Sequence, residues 1–155
     1  MIENEKNNIL CDEVMSRHVM SRPSFSEILE AVKGQVEYEC FARELPKGSG
    51  KMHIDPLYFT ICRIIADMYV KPPTSPVKIE GAWIEAAIVQ ERYRELDNSH
   101  IEHVVDKFKA QTGLITKLKP YLQNMLFNVV DEHDAYYTNL VNHDMASGKF
   151  YGNGG

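Results

Sequence analysis

The segment DPLYFTICRIIADMY, residues 55–69, decides the fold that the sequence predicts. It opens with Asp55 and Pro56, residue types preferred at the N-cap and at the first position of a helix. Apolar side chains then recur at steps of three and four residues, the spacing of one helix face: Leu57, Tyr58, Ile61, Cys62, Ile65, Met68 and Tyr69. The breadth of this stripe predicts a core helix, which Pro72 and Pro73 bring to an end.

Similar patterns on both sides of this segment predict further helices. Ser24 and Glu27 form a capping box before the first of them, and Asp97-Asn98-Ser99 is a cluster of N-cap residues before a later one. The predicted helical ranges are 24–34, 36–45, 55–69, 83–96, 98–113, 118–129 and 132–145, with Asp131 or Asp134 capping the last. Residues 77–81 alternate and indicate a short extended or hairpin segment. The predicted fold class is all-α, a compact bundle of about six to seven short helices.

The composition fits one acidic domain. The 155 residues carry a formal net charge of −5, whereas a domain that grips duplex DNA through many phosphates is usually basic. Three cysteines without a CxxC pair indicate neither a disulfide framework nor a zinc motif, which favours reduced thiols and a cytoplasmic location. No secretory leader or membrane span is predicted. We expect a flexible tail at 1–22, the helical domain at 23–146 and a disordered Gly-rich tail at 147–155.

The histidines do not match a metal or catalytic motif along the sequence. His100 and His103 stand three residues apart, whereas a zinc protease helix needs a spacing of four with a glutamate between. His133 and His143, each followed by aspartate, are ten residues apart, or about 15 Å along a helix. Phosphate-binding loops and nucleophile elbows are also absent. The sequence therefore predicts no catalytic residue, metal or cofactor, and a small metal-dependent enzyme built on these four histidines is the least favoured alternative.

Four lysines make up the basic cluster of the sequence: Lys107, Lys109, Lys117 and Lys119. They stand close to Phe108 and Tyr121, and basic side chains near aromatic ones are typical of nucleic-acid surfaces. A solvated helix face is the more common origin of such a cluster. Nucleic-acid contact through residues 107–119 is therefore an alternative function.

Three segments of the C-terminal half carry a family resemblance. RYRELDNSHIEHVV at 92–105, KPYLQNMLFN at 119–128 and YYTNLVNHDM at 136–145 resemble, in order and spacing, the C-terminal domain of replication initiator protein A. That family initiates the replication of plasmids and conjugative transposons of Firmicutes. The sequence departs from its pattern at Asn98, at His103 and at Val129-Val130. The winged-helix DNA-binding domain of the family has no counterpart in the sequence, so its origin-binding activity is not carried over.

The resemblance implies a non-enzymatic helical domain that contacts host primosome or replication proteins, such as primase or a helicase loader. A weak nucleic-acid contact and self-association are compatible with it. The positions that match the family motifs are the candidates for partner binding: Arg92, Asp97, Ser99, His100, Tyr121, Tyr136, Tyr137, Asn142, His143 and Asp144.

Overall fold

The computed structural model describes residues 22–147 and is predominantly helical. Five α-helices lie in this range: α1 (Phe25–Gln35), α2 (Pro56–Tyr69), α3 (Ala86–Tyr93), α4 (Asn98–Ala110) and α5 (Leu118–Ser147). A short 3-10 helix spans Tyr38–Phe41. Four short strands form two antiparallel pairs: β1 (Arg43–Glu44) with β2 (Met52–His53), and β3 (Pro76–Ile79) with β4 (Ala82–Glu85). The predicted helical architecture is thus confirmed, and the chain is not purely all-α. The hairpin at 76–85 corresponds to the extended or hairpin segment expected at 77–81, whereas the hairpin at 43–53 was not expected.

Helix α2 is the centre of the domain and confirms the prediction for residues 55–69. The Asp55 side chain accepts a hydrogen bond from the Leu57 N–H at 2.9 Å, and Pro56 occupies the first turn. The helix contacts all four other α-helices. Its buried side chains form the middle of the core: Tyr58, Ile61, Cys62, Ile64, Ile65, Ala66 and Met68. Burial raises the pKa of the Cys62 thiol to about 11, so it stays protonated and unreactive at neutral pH.

The chain between α1 and α2 differs from the predicted helix at 36–45. Helix α1 begins at the predicted capping box, in which Ser24 and Glu27 exchange hydrogen bonds. It cannot continue, because Glu37 adopts a left-handed conformation with a φ of 55°. A single 3-10 turn follows, and Arg43 then pairs with His53 in the first hairpin. Helical periodicity over so short a run did not distinguish one turn from a helix.

The second hairpin explains why the predicted helix at 83–96 begins too early. Strands β3 and β4 pair Val77 with Ile84, so the extended segment expected at 77–81 is the first strand of a hairpin. Glu80 and Gly81 form the turn with φ values of 53° and 86°, as a two-residue hairpin loop requires. Trp83 therefore lies on a strand, and α3 covers only Ala86–Tyr93.

The last two predicted helices are one helix of 30 residues, α5. Pro120 falls in its first turn, where its missing N–H does no harm. Asp131 and Asp134 were expected to cap a new helix, yet both lie inside α5. Aspartate favours a cap without breaking a helix, and no glycine or proline lies between Tyr121 and Ser147.

Two glutamine side chains close helix ends inside the bundle. Nε2 of the buried Gln90 donates to the carbonyls of Met68 and Lys71, at 2.9 and 2.8 Å, beyond the end of α2. Nε2 of Gln35 donates to two carbonyls at the end of α3 and in the turn after it, at 2.9 Å each, and its Oε1 accepts from the Tyr69 hydroxyl. These bonds add side-chain donors to carbonyls near the C-terminal ends of two helices; those of Met68 and Tyr93 also accept backbone N–H groups.

The predicted tails lie outside the described residues except for Arg22 and Ser147, the latter being the final residue of α5. Within 22–147, none of the helices combines the length and apolar character that crossing a bilayer requires.

The central position of α2 generates a stability prediction. Ile65→Ala removes a fully buried side chain, and we expect it to lower the free energy of unfolding by about 2–5 kcal/mol. Ile88→Ala is the matched control, because the Ile88 side chain is 50% exposed, and it should cost under about 1 kcal/mol. Urea unfolding followed by circular dichroism measures both variants. Equal losses of unfolding free energy in Ile65→Ala and Ile88→Ala would contradict the assignment of Ile65 to the core.

Candidate functional site

A groove of about 860 Å³ lies beside the N-terminal end of α2. Its apolar walls come from the 3-10 helix, the first hairpin and α2: Phe41, Leu45, Ile54, Pro56 and Tyr58. The rings of Phe41 and Tyr58 stack with centroids 4.1 Å apart. Leu45 stands at the rim with 56% of its surface exposed. We call this cavity the aromatic groove; sequence analysis did not identify it.

An acidic side chain of α4 organises one wall of the aromatic groove. Glu102 accepts a hydrogen bond from the Tyr58 hydroxyl at 2.8 Å and pairs with the Arg43 guanidinium at 3.0 Å. Arg43 also donates to the carbonyls of Cys40 and Ala42. Burial, followed by the bond to Glu102, raises the pKa of the Tyr58 hydroxyl well above its ordinary value. The tyrosine therefore acts as a hydrogen-bond donor at neutral pH and not as a base.

A second ion pair also lines the aromatic groove. Nζ of Lys109, on α4 like Glu102, is 2.7 Å from a carboxylate oxygen of Asp55, the residue that caps α2. The bond from Lys109, together with the Leu57 N–H, holds the pKa of the Asp55 carboxyl below its usual value. The lining of the aromatic groove thus combines apolar side chains with two ion pairs.

The four lysines predicted to form a basic cluster do not form one patch. Three of them make ion pairs with different partners: Lys107 with Glu132 at 3.0 Å, Lys109 with Asp55 at 2.7 Å and Lys119 with Asp67 at 3.3 Å. Lys117 instead lines a separate cavity of about 410 Å³ together with Lys71 and Lys78. These two lysines were missed because the turn after α2 and the second hairpin bring them to Lys117 only in the folded chain.

Four of the positions that carry the resemblance make contacts within the domain. Nε of Arg92 donates to the Phe127 carbonyl at 2.8 Å, and the guanidinium pairs with Asp131 at 2.6 Å, which ties α3 to α5. Asp97 caps α4 in a capping box with His100. The ring of Tyr121 meets that of Phe108 edge-on at 6.0 Å.

The remaining candidate positions either lie at the surface or have side chains that the structure does not describe. Ser99 is exposed in the first turn of α4, and Asn142 and His143 are exposed on α5. Tyr136, Tyr137 and Asp144 belong to α5, but the structure does not describe their side chains. The motif at 136–145 is therefore part of a helix, and the described side chains of that segment do not meet the aromatic groove.

Three histidines meet where α4 packs on α5. The His133 ring lies 5.1 Å from that of His100 and 5.7 Å from that of His103, centroid to centroid. Ligand atoms of His100, His133 and Asp134 all lie within 4.8 Å of one another, close enough for them to hold a metal ion. Sequence analysis compared histidines along single helices and so missed this contact between two helices. The distance of about 15 Å along α5 still excludes His143 from a shared metal site with His133.

The Asp55–Lys109 pair predicts a pH dependence. The folded pKa of Asp55 lies below the unfolded one, so the stabilisation is present at neutral pH and is lost as the pH falls below about 4. Asp55→Asn keeps a good N-cap but removes the charge, and it should cost about 0.5–1 kcal/mol at pH 7 for this partly exposed pair.

Urea unfolding of the parent and of Asp55→Asn between pH 7 and pH 2.5 measures the difference in their free energies of unfolding, which should shrink as the pH falls. Lys109→Met should remove a similar part of the stability at pH 7. A difference between Asp55→Asn and the parent that stays constant with pH would contradict the role given to the ion pair.

Comparison with known proteins places the chain in a family without assigning an activity. No curated protein and no solved structure matches the chain. One family model does match, over residues 3–148, which is nearly the whole length. The chain therefore belongs to DUF6017, a family of unknown function.

Proposed function

We propose that this chain is a non-enzymatic protein-interaction domain of a mobile-element replication initiator. Its docking surface is the aromatic groove. The partners are host replication proteins, with primase and the helicase loader as the candidates that the resemblance at 92–105, 119–128 and 136–145 implies. Such partners are cytoplasmic, so the proposal places the chain in the cytoplasm.

The composition of the aromatic groove is the observation that supports docking. Leu45 at the rim is open to a partner, and the buried, stacked rings of Phe41 and Tyr58 support the apolar side of the groove from beneath. Arginine is enriched among the residues that dominate binding energy at interfaces, and the exposed Arg43 is held here by Glu102. A volume of about 860 Å³ accommodates several side chains of a partner segment.

The paired charges favour docking over catalysis. Glu102 already binds both Tyr58 and Arg43, and Asp55 already binds Lys109. A general base has to be available to the proton that it removes. Ion pairs beside apolar side chains, as in this groove, instead select a partner by charge complementarity and orient it.

The test is binding of the full chain to purified primase and to purified helicase loader, measured by biolayer interferometry. Leu45→Glu places a charge at the rim of the aromatic groove and should weaken binding at least about tenfold. Ile88→Glu is the matched control, since Ile88 is similarly exposed on α3 and does not line the groove, and it should bind like the parent.

Failure of both proteins to bind would overturn the partner assignment. Equal binding by Leu45→Glu and the parent would overturn the groove as the docking surface. Sedimentation of the chain alone distinguishes self-association, because a second copy in the groove would give a dimer that Leu45→Glu dissociates.

A second candidate function, nucleic-acid binding, has an observation of its own. Trp83 on the second hairpin is 67% exposed, and Nζ of Lys78 lies 5.6 Å from the centroid of its ring. Lys78 also lines the cavity of about 410 Å³ with Lys71 and Lys117. An exposed aromatic ring beside several lysines is the combination on which single-stranded nucleic acids stack. This site shares only Lys117 with the predicted 107–119 region.

Binding to a fluorescent single-stranded oligonucleotide at several salt concentrations tests this alternative. Lys117→Glu should weaken binding and reduce the slope of log K against log salt, and Trp83→Ala should cost about 1–3 kcal/mol. Lys47→Glu, in the loop of the first hairpin, is the control with the same charge change. If Lys47→Glu and Lys117→Glu weaken binding equally, the alternative is wrong.

A further inference from the structure

The histidine cluster between α4 and α5 is a further site, separate from the aromatic groove. His100 stands in the first turn of α4 and is buried, with 7% of its surface exposed. His133 and Asp134 are neighbours on α5 and are half-buried and exposed, respectively. Helix packing therefore joins ligands that are more than thirty residues apart in the sequence.

The donor atoms are arranged for one ion. Those of His100, His133 and Asp134 lie within 4.8 Å of one another. Ligands around a tetrahedral zinc ion, at bond lengths of about 2.0–2.1 Å, are about 3.3 Å apart. Ligation of one ion therefore requires the side chains of His133 and Asp134, which are not fully buried, to move toward His100. The set consists of one buried ligand, one half-buried ligand and one exposed ligand.

Asp97, the N-cap of α4, already orients the buried ligand. Its backbone N–H donates to Nδ1 of His100 at 3.1 Å, and its Oδ1 lies 3.1 Å from the same nitrogen. Nε2 is thus the nitrogen for ligation, and ligation there places the ring proton on Nδ1, within reach of Oδ1 of Asp97 as its acceptor. A histidine that binds a metal through one nitrogen commonly gives the proton on its other nitrogen to such a carboxylate, which fixes the ring and strengthens the ligand.

We propose that His100, His133 and Asp134 bind one divalent transition-metal ion of the zinc class, with Asp97 as the residue that positions His100. Two imidazoles and one carboxylate suit zinc and its neighbours, whereas calcium and magnesium prefer oxygen ligands alone. Three protein ligands leave a fourth position for water or for a group from a partner. The role is to join α4 to α5, and it does not depend on the proposed docking function.

The probe is Zn²⁺ itself, titrated by calorimetry into the full chain after treatment with a chelator. We expect one ion per chain with a Kd of about 1 µM or lower. Saturation with Zn²⁺ should raise the melting temperature by roughly 5–10 °C, because the ion binds the folded state. Co²⁺ in the same site should show the visible absorption bands of a four- or five-coordinate ion.

The variants separate this site from incidental binding. His133→Ala and Asp134→Asn change residues that are not fully buried, so the fold should persist, and each should weaken Zn²⁺ binding at least about tenfold. His143→Ala, at an exposed position on the same helix, is the control and should leave Kd unchanged. Absence of Zn²⁺ binding by the parent, or equal affinity of His133→Ala and the parent, would overturn the proposal.

Discussion

Burial of the central helix α2 on most of its circumference is the constraint on which the rest of the domain depends. A helix that is apolar over so wide an arc has to be covered on several sides, and α1, α3, α4 and α5 all contact it. Gln90 and Gln35 donate amide hydrogen bonds to carbonyls near the C-terminal ends of α2 and α3, and an unpaired buried carbonyl would cost about 1–3 kcal/mol.

The need to cover α2 also determines where the aromatic groove lies. At the start of α2 the cover consists of the 3-10 helix, a two-residue hairpin and one face of α4, none of which closes over Tyr58 completely. Asp55 is therefore both the cap that starts the central helix and part of the groove wall, through Lys109. The candidate docking surface therefore lies at an end of the core helix.

Most N-caps were predicted correctly from the sequence, whereas features that depend on tertiary contacts were not. Ser24 and Asp55 cap helices where predicted, and Asp97 does so within the predicted cluster 97–99, because capping depends on residues within one turn. Trp83 was wrongly placed in a helix. Its strand is defined by pairing with Pro76–Ile79 across a two-residue turn, and this pairing is a tertiary feature that helical periodicity does not detect. The junction expected at Asp131 rested on cap-type residues, which do not end a helix that continues favourably on both sides.

The candidate sites illustrate the same division. The family motifs were visible as sequence, but their positions are largely structural, as Arg92 shows by joining α3 to α5. The aromatic groove needs Phe41, Tyr58 and Glu102 from three elements, and no local pattern relates them. The meeting of His100 with His133 likewise follows only from the packing of α4 on α5.

Helix α5 extends beyond the hydrophobic core on which its first half packs. Its buried side chains end at Val130, and every side chain described from Asp131 to His143 is exposed or half-buried. Asp131, Glu132 and His133 still contact α3 and α4, and residues 135–147 rise about 20 Å beyond them at 1.5 Å per residue. Amide protection against hydrogen exchange should then decline along this arm, since its described side chains are exposed or half-buried and a helix that buries little is marginal in water. The arm also acts as a lever, because a tilt of a few degrees in the core moves its far end by an ångström or more.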